Sequence, residues 1–253
     1  MNIIVFDTET TSLEKPFVYN IGYTVFNTDE KKIVARKDFV IEQVWHNTML
    51  FTTAYYSNKR ELYIKRMRGR SCQLEKFGYV TQQMFRDIKE YNVEHAFAYN
   101  SPFDVSVFEY NCDWFKCSNP LDLLNVHDIR GQVFKAIAFT DEYKQYCESH
   151  NLFTDTGNYS TTAEAVYRYV SGNEEFIEEH TALADSLIEC EILAYCVEQG
   201  CEWCEDYKVY RSVPRNTLKQ LSIIDHEGTK HTFPYTSKRK ISGEDGYRLT
   251  LKE

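Results

Sequence analysis

The chain opens on an apolar, β-branched run. Asn2 to Phe6 reads as a buried strand, and it ends in Asp7-Thr-Glu-Thr10, ahead of the break at Pro16. Val18 to Asn27 and Lys32 to Ile41 alternate as two further strands, with Thr28-Asp29-Glu30 as the turn between them, so an antiparallel meander is expected. In Val80 to Tyr91 the residues Met84, Phe85 and Ile88 share one helical face. His95 to Tyr99 reads as a short strand and Ser101-Pro102 as a helix start, with Ser101 as the N-cap. The pattern predicts a strand within Pro120 to Ile129 and helices over Gln132 to Ser149 and Thr161 to Val170. A long helix from Ala182 to Gln199 is expected, with Thr181 placed to cap it and Gly200 to stop it. Leu221 to Ile224 and His231 to Tyr235 read as a hairpin around Glu227-Gly228-Thr229.

With 253 residues and 43% apolar content, one full-sized domain with a small extension is expected. No apolar run is long enough to span a bilayer, and no basic, apolar, small-residue leader is seen at the N-terminus. The eight cysteines are therefore read as reduced cytosolic thiols. The net charge of −9 argues against non-specific coating of nucleic acid; it leaves room for local basic patches beside an acidic site.

Two stretches depart from that acidic background. Between residues 45 and 70, Phe51, Tyr55, Tyr56 and Tyr63 interleave with Lys59, Arg60, Lys65, Arg66, Arg68 and Arg70. Such a stretch is either a solvated surface or a groove that pairs phosphates with cations and stacks bases on rings. Beyond residue 206 basic residues outnumber acidic ones two to one, which divides the chain into a domain at 1–206 and a basic extension at 207–253.

Candidate chemistry starts at Asp7 and Glu9. Two apart on a strand, they point to one side, and two carboxylates there are costly without a cation between them. Hard oxygen ligands suit Mg²⁺ or Mn²⁺. Spacing alone is weak evidence, because Asp225-His-Glu227 repeats it at the apparent hairpin turn. Asp104, in the first turn of the helix after 101, and Asp185, early in the 182–199 helix, bring the number of carboxylates at element ends to four. His180 precedes Asp185 by five positions. His150 and Asp155 repeat that spacing in a polar loop, so it is the amphipathic helix following His180 that distinguishes the pair at 180–185.

Val5-Phe-Asp-Thr-Glu-Thr-Thr-Ser-Leu13, Ala98-Tyr-Asn-Ser-Pro-Phe-Asp104 and His180-Thr-Ala-Leu-Ala-Asp185 resemble, in order and separation, the three motifs of the DnaQ-like DEDDh 3′→5′ exonucleases. The resemblance covers roughly residues 1 to 200; Ser12 stands where the family usually has glycine. It implies an α/β fold, a ribonuclease H-like mixed sheet with its first three strands antiparallel and helices on both faces, plus a small β-rich C-terminal extension. It implies hydrolysis of phosphodiester bonds at the 3′ end of single-stranded nucleic acid, DNA favoured over RNA, with release of nucleoside 5′-monophosphates. Two divalent cations, Mg²⁺ or Mn²⁺, are implied: Asp7 bridging both, Glu9 and Asp185 completing the first, Asp104 serving the second, and His180 as general base. Thr8, Thr10, Leu13, Asn100 and Phe103 are implied to hold the terminal nucleotide. A polymerase or another replication or repair protein is an expected partner, in the cytoplasm (a host's, for a phage member; the tyrosine-rich chain suggests a phage or bacterial origin). The alternative is a catalytically inactive nucleic-acid or protein-binding module on the same fold. Cys196, Cys201 and Cys204, joined by Cys112 or Cys117, offer thiolates for zinc, but buried thiols acting as small apolar groups are the expected outcome.

Overall fold

Described in the computed structural model are residues 1–215 and two strands beyond them, 219–224 and 230–235. Strands β1 (Asn2–Thr10), β2 (Val18–Asn27) and β3 (Lys32–Ile41) form the antiparallel meander. The segment after it holds α1 (Glu42–Trp45), α2 (Thr48–Phe51) and α3 (Arg60–Arg68). Strand β4 (Gln73–Glu75), α4 (Phe77–Glu90), β5 (His95–Ala98) and α5 (Ser101–Phe115) follow, then β6 (Asn125–Asp128), α6 (Ile129–Ala136), α7 (Asp141–Ser149), α8 (Ala163–Ser171) and α9 (Ala182–Glu198). The sheet order is β4-β3-β2-β1-β5-β6, with β5 parallel to β1, β6 parallel to β5 and β4 parallel to β3. Strands β7 (Lys219–Ile224) and β8 (Lys230–Tyr235) make a separate antiparallel hairpin. Its turn, including Asp225-His-Glu227, and the basic residues after 235 lie outside the described residues.

The pleat of β1 sorts two cores. Ile4 and Phe6 belong to one, with Tyr19, Phe77, Val107 and Phe108; Ile3 and Val5 belong to the other, with Phe97, Val133, Tyr143, Ile192 and Leu193. Helices therefore cover both faces of the central strand, as a sheet whose inner strands are buried on both sides requires.

Local chemistry corrects two expectations and, for the strand expected within Pro120 to Ile129, sets where it starts. Ser101 is the first helical residue of α5, not its cap: Asn100 takes the cap position in the left-handed region (φ 65°) with no side-chain cap bond. The stretch before β6 is a 3-10 turn, Pro120–Leu123, because the Asn119 side chain accepts from the Leu121 N–H and starts a turn there. The helix expected over 132–149 is two helices. Thr140 caps α7 through the Tyr143 N–H, and its hydroxyl donates back to the Ile137 carbonyl, which ends one helix and begins the next.

Candidate active site

Alternation along β1 decides which helix each site residue meets. Asp7 and Glu9 lie on the Ile3–Val5 face, over which α9 packs, and ligand oxygens of Asp7, Glu9 and Asp185 come within 4.8 Å of one another. Thr8 points to the opposite face. There its backbone N–H and hydroxyl both donate to Asp104 Oδ1, at 3.1 and 2.6 Å. Asp104 is thus tied to β1 through the residue between the two strand carboxylates, and it is 2% exposed.

Helix α9 reaches the carboxylates because β2 lets it. Gly22 is paired with Asp7 across the sheet, and a Cβ on Gly22 would lie 2.0 Å from the Leu183 backbone nitrogen. Only glycine allows the first turn of α9 this close to the sheet. Two residues earlier on the same face, Asn20 Oδ1 accepts the Ala182 N–H at 2.8 Å. The expected cap, Thr181, makes no such bond: its hydroxyl donates to Glu179 at 2.6 Å and accepts from Arg66 at 3.0 Å. Helix α9 is capped from a neighbouring strand, which frees Thr181 to fix the loop before it. Asn20 is itself held by Tyr63, which donates to its Oδ1, and by its own donation to Asp38.

The cluster strongly resists ionisation. Burial, then Asp104, Glu189, Asp185 and Glu9, push the Asp7 carboxyl well above the ordinary range. Burial and Asp185 raise Glu9 to about 9, although the nearby Lys59 opposes the shift. Burial and Glu178 raise Asp185 to about 8. Asp104 is raised to about 7 by burial, against the two Thr8 bonds that favour its charged form. Glu189, one turn beyond Asp185 on α9, is fully buried and raised by burial and Asp104; its Oε2 has no hydrogen-bond partner. Like-charged oxygens packed this closely, one of them unsatisfied, fit a hard divalent cation, and the donor set is all oxygen.

His180 sits at the rim with φ 50°. Its ring stacks on Tyr56, with centroids 4.5 Å apart and planes 13° apart, and its Nδ1 lies 3.6 Å from Glu178 Oε2. Burial, then Lys59, lower its pKa, so at neutral pH the imidazole is free to take a proton. Glu178, the third member of a Glu178–His180–Asp185 group, is raised to about 7 by burial and Glu164. His150 instead binds the Tyr146 carbonyl through Nδ1 at 2.9 Å and Glu174 through Nε2 at 3.2 Å, away from Asp155.

Beside Glu9 opens a cavity of about 410 Å³ lined by Thr8 to Leu13, Thr53, Tyr55, Tyr56 and Phe103. It takes in Thr8, Thr10, Leu13 and Phe103 of the nucleotide-holding set. Asn100 does not line it: its backbone N–H donates to Asp128 at the start of α6. Tyr55 (88% exposed) and Leu13 (83% exposed) stand open at the cavity.

The six cations of the 45–70 segment do not act as one set. Lys59 donates to the Glu179 carbonyl and, at 3.2 Å, to that of His180. Arg66 pairs with Glu179 and reaches Asp38 at 3.5 Å. Arg60 lies over the Trp45 and Phe51 rings. Lys65, Arg68 and Arg70 are exposed. Three of the six thus brace the structure: Lys59 and Arg66 the loop carrying His180, and Arg60 the aromatic core.

Sequence reading missed Glu189, Glu178 and Asn20, and it set Tyr56 among the base-stacking aromatics instead of against His180. Glu189 had a signal in its spacing of four from Asp185 on one helix face, and Glu178 in standing two residues before His180; Asn20, and Tyr56 against His180, depend on long-range packing. Among the described residues, no group of three metal-capable side chains includes Cys196 or Cys201, and both are buried.

No family model and no curated protein matches the chain by sequence. Solved structures do. A 3′-exonuclease in 3′-end-specific recognition of a histone mRNA stem-loop matches with a TM-score of 0.51 at 10% identity, over 96% of this chain and 93% of that one. The nuclease domain of 3′hExo, a DEDDh family member, bound to rAMP, matches with a TM-score of 0.47 at 11% identity, over 84% and 97%. E. coli exonuclease I with a dA16 oligonucleotide matches with a TM-score of 0.43 at 14% identity, over 75% of this chain and 39% of that one. The mixed six-stranded fold is that of a 3′-exonuclease nuclease domain.

Proposed function

We propose that this chain is a DEDDh 3′→5′ exonuclease that removes nucleoside 5′-monophosphates from the 3′ end of single-stranded nucleic acid. The convergence of Asp7, Glu9 and Asp185 within 4.8 Å, with Asp104 tied to the same strand through Thr8, carries this reading. Asp7, Glu9 and Asp185, with Asp104 beside them, would hold two divalent cations through carboxylate oxygens. Two such ions, when bound, activate the attacking water and stabilise the leaving 3′-oxygen.

The chain's own residues do the rest. His180, neutral and held flat by Tyr56, takes the proton of the attacking water. The cavity beside Glu9 receives the terminal nucleotide, with Leu13, Phe103 and Tyr55 offering apolar and aromatic faces to the base.

Digestion of 3′-labelled and 5′-labelled single- and double-stranded DNA and RNA, with Mg²⁺ and with Mn²⁺, tests the reading. Stepwise shortening from the 3′ end, with 5′-monophosphates as the only product, is expected. A binding module without catalysis would retain every labelled strand at full length.

A further inference from the structure

A second group of metal-capable side chains lies at the other end of the sheet. His95, His127 and Cys204 bring Nδ1 or Nε2 and Sγ atoms within 4.8 Å of one another. His95 opens β5 and pairs with Ile3, whereas Asp7 lies four residues further along β1. About 13 Å of strand therefore separates this group from the carboxylates, and its donors are nitrogen and sulfur instead of oxygen.

The group is built, not merely adjacent. His127 is 6% exposed, and its ring is fixed by stacking on Phe97 with centroids 4.9 Å apart. Asp206 Oδ1 lies 2.6 Å from His127 Nδ1. A carboxylate there accepts the Nδ1 proton, which leaves Nε2 with its lone pair directed at the group: the carboxylate–histidine arrangement of a metal ligand. That Nε2 lies 2.9 Å from His95 Nδ1. Cys204 comes from the segment after α9 and adopts φ 68°. Glycine is the default in that conformation, so backbone geometry does not account for a cysteine there. Three segments far apart in sequence thus deliver two imidazoles and one thiol to one point.

We infer that His95, His127 and Cys204 form a binding site for zinc or a similar borderline-soft divalent cation, oriented by Asp206 and separate from the carboxylate site. Tetrahedral zinc, with Zn–N about 2.0–2.1 Å and Zn–S about 2.3 Å, sets such ligand atoms roughly 3.3–3.6 Å apart. The imidazoles need to part by only about half an ångström to reach that spacing. Water takes the fourth position on the partly exposed side of His95 and Cys204. The ion would pin the segment after α9 to β5 and to β6, the last strand of the sheet; further along the same segment, the Tyr207 carbonyl already lies so close over Gly131 of α6 that a Cβ there would meet it at 2.6 Å. Zinc through Cys196 and Cys201 is not part of this site.

The test strips the full chain of metal with a chelator, removes the chelator, and loads it with cobalt(II) in excess Mg²⁺. Thiolate ligation gives an intense near-ultraviolet sulfur-to-cobalt band that an oxygen-only site cannot give. One equivalent with this band is expected in the wild type and in Asp7→Ala, and its absence in Cys204→Ser. Asp206 is 79% exposed, so Asp206→Asn keeps the fold. It should keep the band while weakening cobalt and zinc binding about 10–100-fold, as loss of an outer carboxylate does. No thiolate band in the wild type at saturating cobalt, or a band that survives Cys204→Ser, overturns the assignment.

Discussion

Tyr56 lies flat against His180, with ring centroids 4.5 Å apart and planes 13° apart, and Lys59, three residues on, holds the His180 carbonyl at 3.2 Å. The segment between α2 and α3 therefore orients the proposed base from outside its own loop. His180→Ala should lower kcat about 10²–10⁴-fold and leave metal binding largely intact, while His150→Ala should be neutral for cleavage. Tyr56→Ala should lower kcat up to about tenfold, the worth of one aromatic pair, and Tyr56→Phe should restore it, since stacking does not need the hydroxyl. Equal losses in His180→Ala and His150→Ala would refute the choice of base.

Asp7 is the carboxylate most surrounded by others. Asp7→Ala should abolish cleavage and raise the melting temperature of the metal-free protein, because removing it relieves repulsion with Asp104, Glu189, Asp185 and Glu9. Activity at the wild-type level in this variant would sink the site.

The same burial sets a pH dependence. Folded pKa values of about 9 for Glu9, about 8 for Asp185 and about 7 for Asp104 exceed the ordinary carboxylate value of about 4. Between those limits the folded chain binds more protons than the unfolded one, so the stability of the metal-free protein falls as pH rises from about 4 through about 9. Divalent cations should restore it, most at the alkaline end, with proton release on binding. Melting curves across that range with and without chelator check this; a metal-free melting temperature that rises with pH contradicts it.

How much of this could be read from the chain depends on contact range. The β1 alternation places Asp7 and Glu9 on one side and Thr8 on the other from local geometry alone, and the order of Asp104, His180 and Asp185 along the chain carries the rest of the proposed set. Asn20 as the cap of α9 was not legible, because the bond spans 162 positions and a threonine stood in the expected place. Nor does composition reveal that a cation is already occupied. Arg66 and Arg68 look alike in sequence, yet one is half-buried and paired with a loop carboxylate and the other is exposed. The helix break at Thr140 was hidden because a polar cap sat inside an otherwise helical run.

Gly22 is a sharp probe of the assembly. Gly22→Ala puts a methyl group 2.0 Å from the Leu183 nitrogen, and backbone there cannot yield without moving α9. Overpacking of this kind costs at least about 1–3 kcal/mol. Because Asp185 rides on the displaced turn, Mn²⁺ affinity should fall along with the melting temperature. A variant with both unchanged would show that the close approach of α9 to β2 is not what assembles the site.

The last prediction separates the two kinds of cation in the 45–70 segment. Arg66 is committed to Asp38, Glu179 and Thr181, and the Asp38 side chain is 1% exposed. Removing one partner of a buried pair costs about 3–5 kcal/mol, an upper bound here because Asn20 still donates to Asp38. Arg66→Ala should therefore lower the melting temperature and kcat, through the loop that carries His180, and leave the salt dependence of substrate binding unchanged. Arg68 and Arg70 are exposed. If they pair with phosphates of the incoming strand, Arg68→Gln with Arg70→Gln should raise KM at moderate salt with kcat little changed, as for lost uniform binding. Its salt slope should flatten by about 0.7 per contact. KM at two salt concentrations for the wild type, Arg66→Ala and the double variant distinguishes the roles. A double variant whose salt curve runs parallel to the wild type makes the exposed arginines a solvated surface, and a flattened slope in Arg66→Ala would return that residue to the nucleic-acid path.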